Sequence, residues 1–125
     1  MNSNMINKTA YMEATKISSD KNGKSFFSQI HIALDDKGEI GFLSNPQMTQ
    51  SIIFRVTSAD YDYDWHNAPQ KQYIIILKGE VEIEVSTGEK RIFRGGDVLL
   101  VEDTEGQGHK SRAISGKRES IFVTL

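Results

Sequence analysis

The stretch that decides the fold runs from Trp65 to Arg112 and reads WHNAPQKQYIIILKGEVEIEVSTGEKRIFRGGDVLLVEDTEGQGHKSR. Inside it, Glu80-Val81-Glu82-Ile83-Glu84-Val85 alternates acid with aliphatic at every step. A strand sends successive side chains to opposite faces, so the glutamates meet water together and the aliphatics meet a core together; a helix would scatter the glutamates around its axis. Just upstream, Tyr73 to Leu77 is apolar at both parities. That pattern predicts a strand covered on both faces. Lys78-Gly79 between the two predicts a tight hairpin, with glycine free to take positive φ. Ser86-Thr87-Gly88-Glu89 and Arg94-Gly95-Gly96-Asp97 predict the next two turns.

Outward from this stretch the strand rhythm continues. Phe27, Ile30, Ile32 and Leu34 lie in a β-rich run that Asp35-Asp36-Lys37-Gly38 ends. Ile40 to Leu43 predicts a short strand, stopped by Ser44-Asn45-Pro46, and Ser51 to Thr57 is rich in β-branched and aromatic residues. Residues 1–24 are polar and weakly patterned. They predict an N-terminal arm or a short helix or strand, with Ala10 to Ile17 as its centre and Asp20 to Gly23 as a turn. Short strands punctuated by glycine imply a sandwich or barrel, here over residues 25–125. No internal repeat and no long amphipathic helix is present.

The same stretch carries the chemistry. His66 precedes one strand pair and His109 follows another strand and a glycine-rich loop. Convergent histidines are the usual material of a metal or acid–base site. From about Asp60 to Ile114 the chain resembles the cupin superfamily. Trp65-His66 supplies the first histidine of that family's first motif, and Gly79 its turn glycine. The motif's second histidine falls at Ala68 and its glutamate at Gln72, seven residues before Gly79. Gly96-Asp97, Val98 to Glu102 and Gly106-Gln107-Gly108-His109 match the second motif, without the usual Pro-x-Gly of its loop. The resemblance implies an all-β fold, a single-domain jelly-roll β-barrel of the cupin type. It also implies a metal held by three histidines and a glutamate. Carried over by position, this chain keeps His66 and His109, offers the neutral amide of Gln72, and has no donor at Ala68. A weakly bound divalent ion (zinc, nickel, manganese or iron) at His66, Gln72 and His109 is the expectation that follows.

Neighbouring residues extend the candidate ligand site. Tyr61-Asp62-Tyr63-Asp64-Trp65 alternates aromatic with acid, which predicts aromatics inside and aspartates outside. Tyr63 and Trp65 are thereby expected to line a barrel mouth beside His66. Arg55 lies on the strand before. Facing inward, it would read a carboxylate or phosphate bidentately. His31 faces solvent if Ile30 and Ile32 face the core, and the interior if the register is opposite. Asp103-Thr104 is expected to shape the loop that delivers His109. The basic scatter of Lys110, Arg112, Lys117 and Arg118 is expected to be a solvated edge.

Composition excludes several classes. The 125 residues suit one domain, and the formal charge is −2. With no basic run, no nucleic-acid partner is expected. There is no cysteine, hence no disulfide framework, thiolate nucleophile or cysteine–zinc site. The longest apolar runs, Ile74–Leu77 and Val98–Val101, are far short of a bilayer span, so no membrane partner is expected. The N-terminus lacks the pattern of a secretion signal, and a cytoplasmic protein is expected. Open sheet edges and an available N-terminal arm point to a homodimer.

Two functions of different class follow. One is a non-catalytic cupin that binds a small molecule in the barrel near His66 and His109. The other is a small cupin enzyme, a metal-assisted oxygenase or a metal-independent isomerase or epimerase, acting on a carbohydrate-like or carbonyl substrate. The altered ligand set weighs against the oxygenase, which needs a firmly held redox metal.

Overall fold

The structure is a computed structural model and describes residues 9–125. Eleven strands follow in order among the described residues: β1 (Thr9–Ser19), β2 (Ser25–Asp36), β3 (Phe42–Leu43), β4 (Ser51–Thr57), β5 (Asp62–His66), β6 (Gln72–Lys78), β7 (Glu80–Val85), β8 (Lys90–Arg94), β9 (Val98–Val101), β10 (His109–Ala113) and β11 (Arg118–Thr124). The one helical piece described is a 3-10 turn, Gly38–Ile40. The strands form a seven-stranded sheet, ordered β3-β2-β1-β9-β6-β11-β4, and a four-stranded sheet, ordered β5-β10-β7-β8. Among the described residues only the β1–β9 pairing is parallel.

The two sheets face each other across one apolar core. Val81, Ile83 and Val85 supply it from β7, Phe93 from β8, Ile76 from β6, Leu99 and Val101 from β9, and Ile17 and Phe27 from β1 and β2. The alternation in β7 is thus met: its three aliphatics are buried and its glutamates are not. Each fully buried aliphatic contributes about 2 kcal/mol over leaving it in water.

The segment around Ala10 to Ile17 is a strand. β1 pairs with β2 along its whole length, from Thr9↔Asp35 to Ser19↔Ser25, and its C-terminal half pairs with β9. The short strand expected over Ile40 to Leu43 is reduced to β3, because Gly38–Ile40 closes a turn ahead of it.

Lys78-Gly79 is not a hairpin. β6 lies in the larger sheet and β7 in the smaller, so the chain crosses between layers there. A single residue between strands is too short to reverse the chain within one sheet. Gly79 takes φ +87, and a side chain there would collide with the Lys117 carbonyl and the Arg118 backbone. Glycine therefore lets the corner pack onto the start of β11. The Ser86–Glu89 turn is a true hairpin, joining β7 and β8 antiparallel.

Candidate functional site

His66 ends β5 and His109 opens β10, and the antiparallel register sets them directly opposite one another. Their ring centroids are 4.4 Å apart. Gly108 permits this approach. It takes φ +74, and a Cβ at that position would overlap the His66 carbonyl.

One residue further along, the register slips. Three steps from Tyr63 to His66 face two from Ser111 to His109. This β-bulge puts Tyr63 and His66 on the same face, although their spacing is odd. The Tyr63 ring stacks on His66 at 3.8 Å and 9°. Tyr61 meets Tyr63 edge-on at 6.3 Å, and its hydroxyl shares a 2.7 Å hydrogen bond with Ser111 Oγ. The bulge also corrects the expectation for Trp65. Strict alternation would turn Trp65 inward with Tyr61 and Tyr63. Instead Trp65 lies outside the cavity, 42% exposed, with Lys110 Nζ 5.3 Å from its ring.

Each histidine has its Nδ1 engaged. His66 Nδ1 donates to the Asp64 carbonyl at 2.7 Å. A carbonyl only accepts, so the proton of the neutral ring sits on Nδ1 and Nε2 carries a lone pair. Burial pushes the His66 pKa below its ordinary 6.5, with the Asp64 carbonyl opposing and His109 adding to the fall. His109 Nδ1 donates to Asp103 Oδ2 at 2.6 Å. Asp103 is fully buried, and its other oxygen, Oδ1, has no partner among the described residues. Its backbone carbonyl accepts from the Ala68 and Asn67 sides, at 3.2 Å each. Asp103 thus ties the two histidine-bearing segments together as well as orienting His109. The sequence suggested only that it shapes the loop; its place six residues before His109 was the available signal.

The rings open into a cavity of about 360 Å³ between the sheets. That lies within the range of small-molecule pockets. His66, His109, Tyr63, Gln72 and Arg55 all line it, together with Tyr61, Ala68, Arg118 and an apolar wall that includes Ile74, Ile83, Leu99 and Phe122. Gln72 is buried on β6, opposite Val101 and Thr124. Arg55 therefore faces inward. His31 faces solvent on β2, stacked on Tyr11 at 4.2 Å and 3.6 Å from Glu13.

Arg118 is the residue most misjudged from sequence. It is not on a solvated edge but 6% exposed and inside the cavity wall. Arg118, Ser120 and Thr124 are buried at alternate positions of β11, so their shared parity was the missed signal. The guanidinium carbons of Arg118 and Arg55 each lie 5.1 Å from the Tyr61 ring centre. Neither arginine has a carboxylate within 4 Å among the described residues.

Two facing, mostly antiparallel sheets enclose a cavity into which the histidines of both motif positions project from paired strands. This is the all-β, two-sheet architecture expected of a cupin-type jelly roll. No model of a known protein family matches it, and no curated protein sequence does. Among solved structures it is similar to the Cnp3 cupin domain of Schizosaccharomyces pombe, with 10% identity, TM-score 0.47, and 99% of this chain and 89% of that one covered. It is also similar to an RmlC-like cupin protein from Desulfovibrio desulfuricans, with 12% identity, TM-score 0.44, and 91% and 81% covered. A protein from Neisseria meningitidis shows 18% identity and TM-score 0.47 over 59% of this chain and 74% of that one. No described helix is long and apolar enough to cross a membrane.

The donor set does not fit the metal that the cupin resemblance implies. Ala68 brings a methyl group to the cavity, Gln72 a neutral amide, and among the described residues no Asp or Glu lines it. Among the described residues no three His, Cys, Asp or Glu side chains converge. Two imidazoles and an amide supply neither the ligand count nor the charge that holds a divalent ion tightly.

Proposed function

We propose that this protein binds a small organic molecule inside the barrel, against His66 and His109. The observation that carries this reading is the pairing of a cavity of about 360 Å³ with two histidines whose Nδ1 atoms are engaged, leaving Nε2 of each for a ligand. An apolar wall with a few convergent polar groups is the usual composition of such pockets. The test is ligand-observed NMR with a mixture of small carboxylic, hydroxylated and aromatic compounds, on the wild type and on Ala68→Phe. Ala68 lines the cavity, so phenylalanine there occupies it. Binding that is lost in a folded Ala68→Phe protein supports the reading. Equal binding to both proteins sinks it.

The Asp103–His109 pair favours a second reading, a metal-independent isomerase or epimerase. In it His109 Nε2 takes a proton from a carbon beside a carbonyl. An isomerase returns it to the neighbouring carbon on the same face, whereas an epimerase receives its new proton on the opposite face from a second acid, for which a cavity tyrosine is the candidate. Asp103 stabilises the imidazolium formed in between, and Tyr63 is the nearby hydroxyl partner. Incorporation of solvent deuterium into a bound carbonyl compound, abolished in His109→Gln, tests it. A ligand bound without exchange at any pH leaves the binding function and removes the catalytic one.

A further inference from the structure

We infer that Arg118 and Arg55 form a carboxylate-recognition subsite in the cavity wall, and that the molecule held in the barrel is a small organic carboxylate with an apolar body. The inference rests on the cavity being a ligand site. Arg118 is 6% exposed, and its Nη1 has no hydrogen-bond partner among the described residues. Among the described residues no carboxylate lies within 4 Å of it, and no Asp or Glu lines the cavity. Arginine does not discharge in proteins, and a buried charge without a counter-charge is costly. Arg55 adds a second guanidinium on the same wall rather than a neutralising group. Burial and then Arg55 lower the Arg118 pKa, with Tyr61 partly opposing.

This wall is built, not incidental. The Tyr61 ring lies against both guanidiniums, and its hydroxyl bond to Ser111 holds it there. At Gly79 the chain approaches the Arg118 backbone more closely than any side chain would allow. A carboxylate accepts two parallel N–H bonds from a guanidinium and relieves the repulsion between the arginines. The remaining lining explains why the anion is a carboxylate on an apolar body. Ile74, Ile76, Leu99 and Phe122 line the same cavity, and the Phe122 ring lies 5.2 Å from the Arg55 guanidinium carbon. The two guanidinium charges would balance a doubly charged phosphate as well, so it is the apolar lining and not the charge count that favours a carboxylate on an apolar body. The rings of Tyr61, Tyr63 and His66 run in succession from the arginines toward the histidines.

The experiment is an NMR titration of the wild type and Arg118→Met with benzoate, its neutral isostere benzamide, and inorganic phosphate. Melting temperatures are followed in parallel. Benzoate is expected to bind the wild type about tenfold or more tighter than benzamide, the usual scale for a charge-assisted pair. In Arg118→Met that preference disappears while benzamide binding persists. Without ligand, Arg118→Met is expected to melt above the wild type, and benzoate narrows the gap. Equal binding of benzoate and benzamide overturns the subsite and leaves the cavity reading standing. Binding of neither sinks both. Phosphate binding tighter than benzoate overturns the carboxylate assignment. An Arg118→Met protein that melts below the wild type in every condition makes Arg118 a structural residue and overturns the proposal. If that variant does not fold, Arg55→Met carries the same comparison, with the same outcomes.

Discussion

Asp103 Oδ2 accepts a 2.6 Å hydrogen bond from Nδ1 of His109, and both side chains are buried. The bond turns His109 so that Nε2 is the nitrogen left for a ligand. Asp103→Ala removes the acceptor and leaves a buried N–H unpaired. A loss of about 1–3 kcal/mol is expected in chemical denaturation. Nitrogen NMR of the His109 ring should show a mixture of tautomers in place of one. A single unchanged tautomer would show that the backbone, not Asp103, sets the ring.

His66 gives the stability a pH dependence of known sign. Its folded-state pKa lies below the ordinary 6.5, chiefly through burial. Between that folded value and 6.5 the unfolded chain binds the proton and the folded chain does not. Stability therefore rises with pH through this window, levels off above it, and is lost as pH falls. Denaturant titrations across the window should show this slope. His66→Gln should flatten it, and an unchanged slope would assign the effect elsewhere.

Gly108→Ala should be disproportionately harmful. The residue needs positive φ, and its new Cβ would strike the His66 carbonyl. A strained left-handed residue costs about 1–3 kcal/mol, and the overlap adds to it. Denaturation should report at least that loss. Ligand binding should fall as well, because relief of the clash separates His66 from His109. Gly88→Ala is the control: it also has positive φ but open space around it, so it should cost less and leave binding unchanged.

Ala68→His with Gln72→Glu should convert the site into a metal centre. The pair adds an imidazole and a negative charge to the two histidines already at the cavity. Calorimetric titration with zinc or nickel should show weak binding for the wild type and a sharp gain for the double variant. Each single change should gain less, since an ion rewards a completed ligand set. Wild-type binding at about −8 kcal/mol or better would restore the metalloprotein reading.

Self-association has a physical candidate in β4. It is an edge of the larger sheet, and Ile52, Phe54 and Val56 are exposed along it. An apolar edge with unpaired backbone groups invites another strand. Sedimentation is expected to show a dimer for the wild type and a monomer for Phe54→Lys. A wild-type monomer at tens of micromolar, roughly where weak interfaces dissociate, would remove the homodimer.

The barrel was legible in the sequence because alternation is a local property. Glu80 to Val85 declares its two faces without reference to any other segment, and the turn glycines mark where strands stop. The motif spacings then singled out His66, Gln72 and His109 as candidates. What the chain order could not carry was relative placement. Lys78-Gly79 resembles a hairpin until β11 is known to pack against Gly79. Trp65 resembles a pocket residue until the slip in register between β5 and β10 turns it outward and His66 inward. Arg118 resembles a solvated charge until β11 is seen between β6 and β4, its even positions facing the cavity. Outside the β5 bulge, periodicity thus determined which residues share a face of a strand. Only the tertiary structure decided which face is the interior, because that depends on bulges and layer crossings whose partners lie far away along the chain.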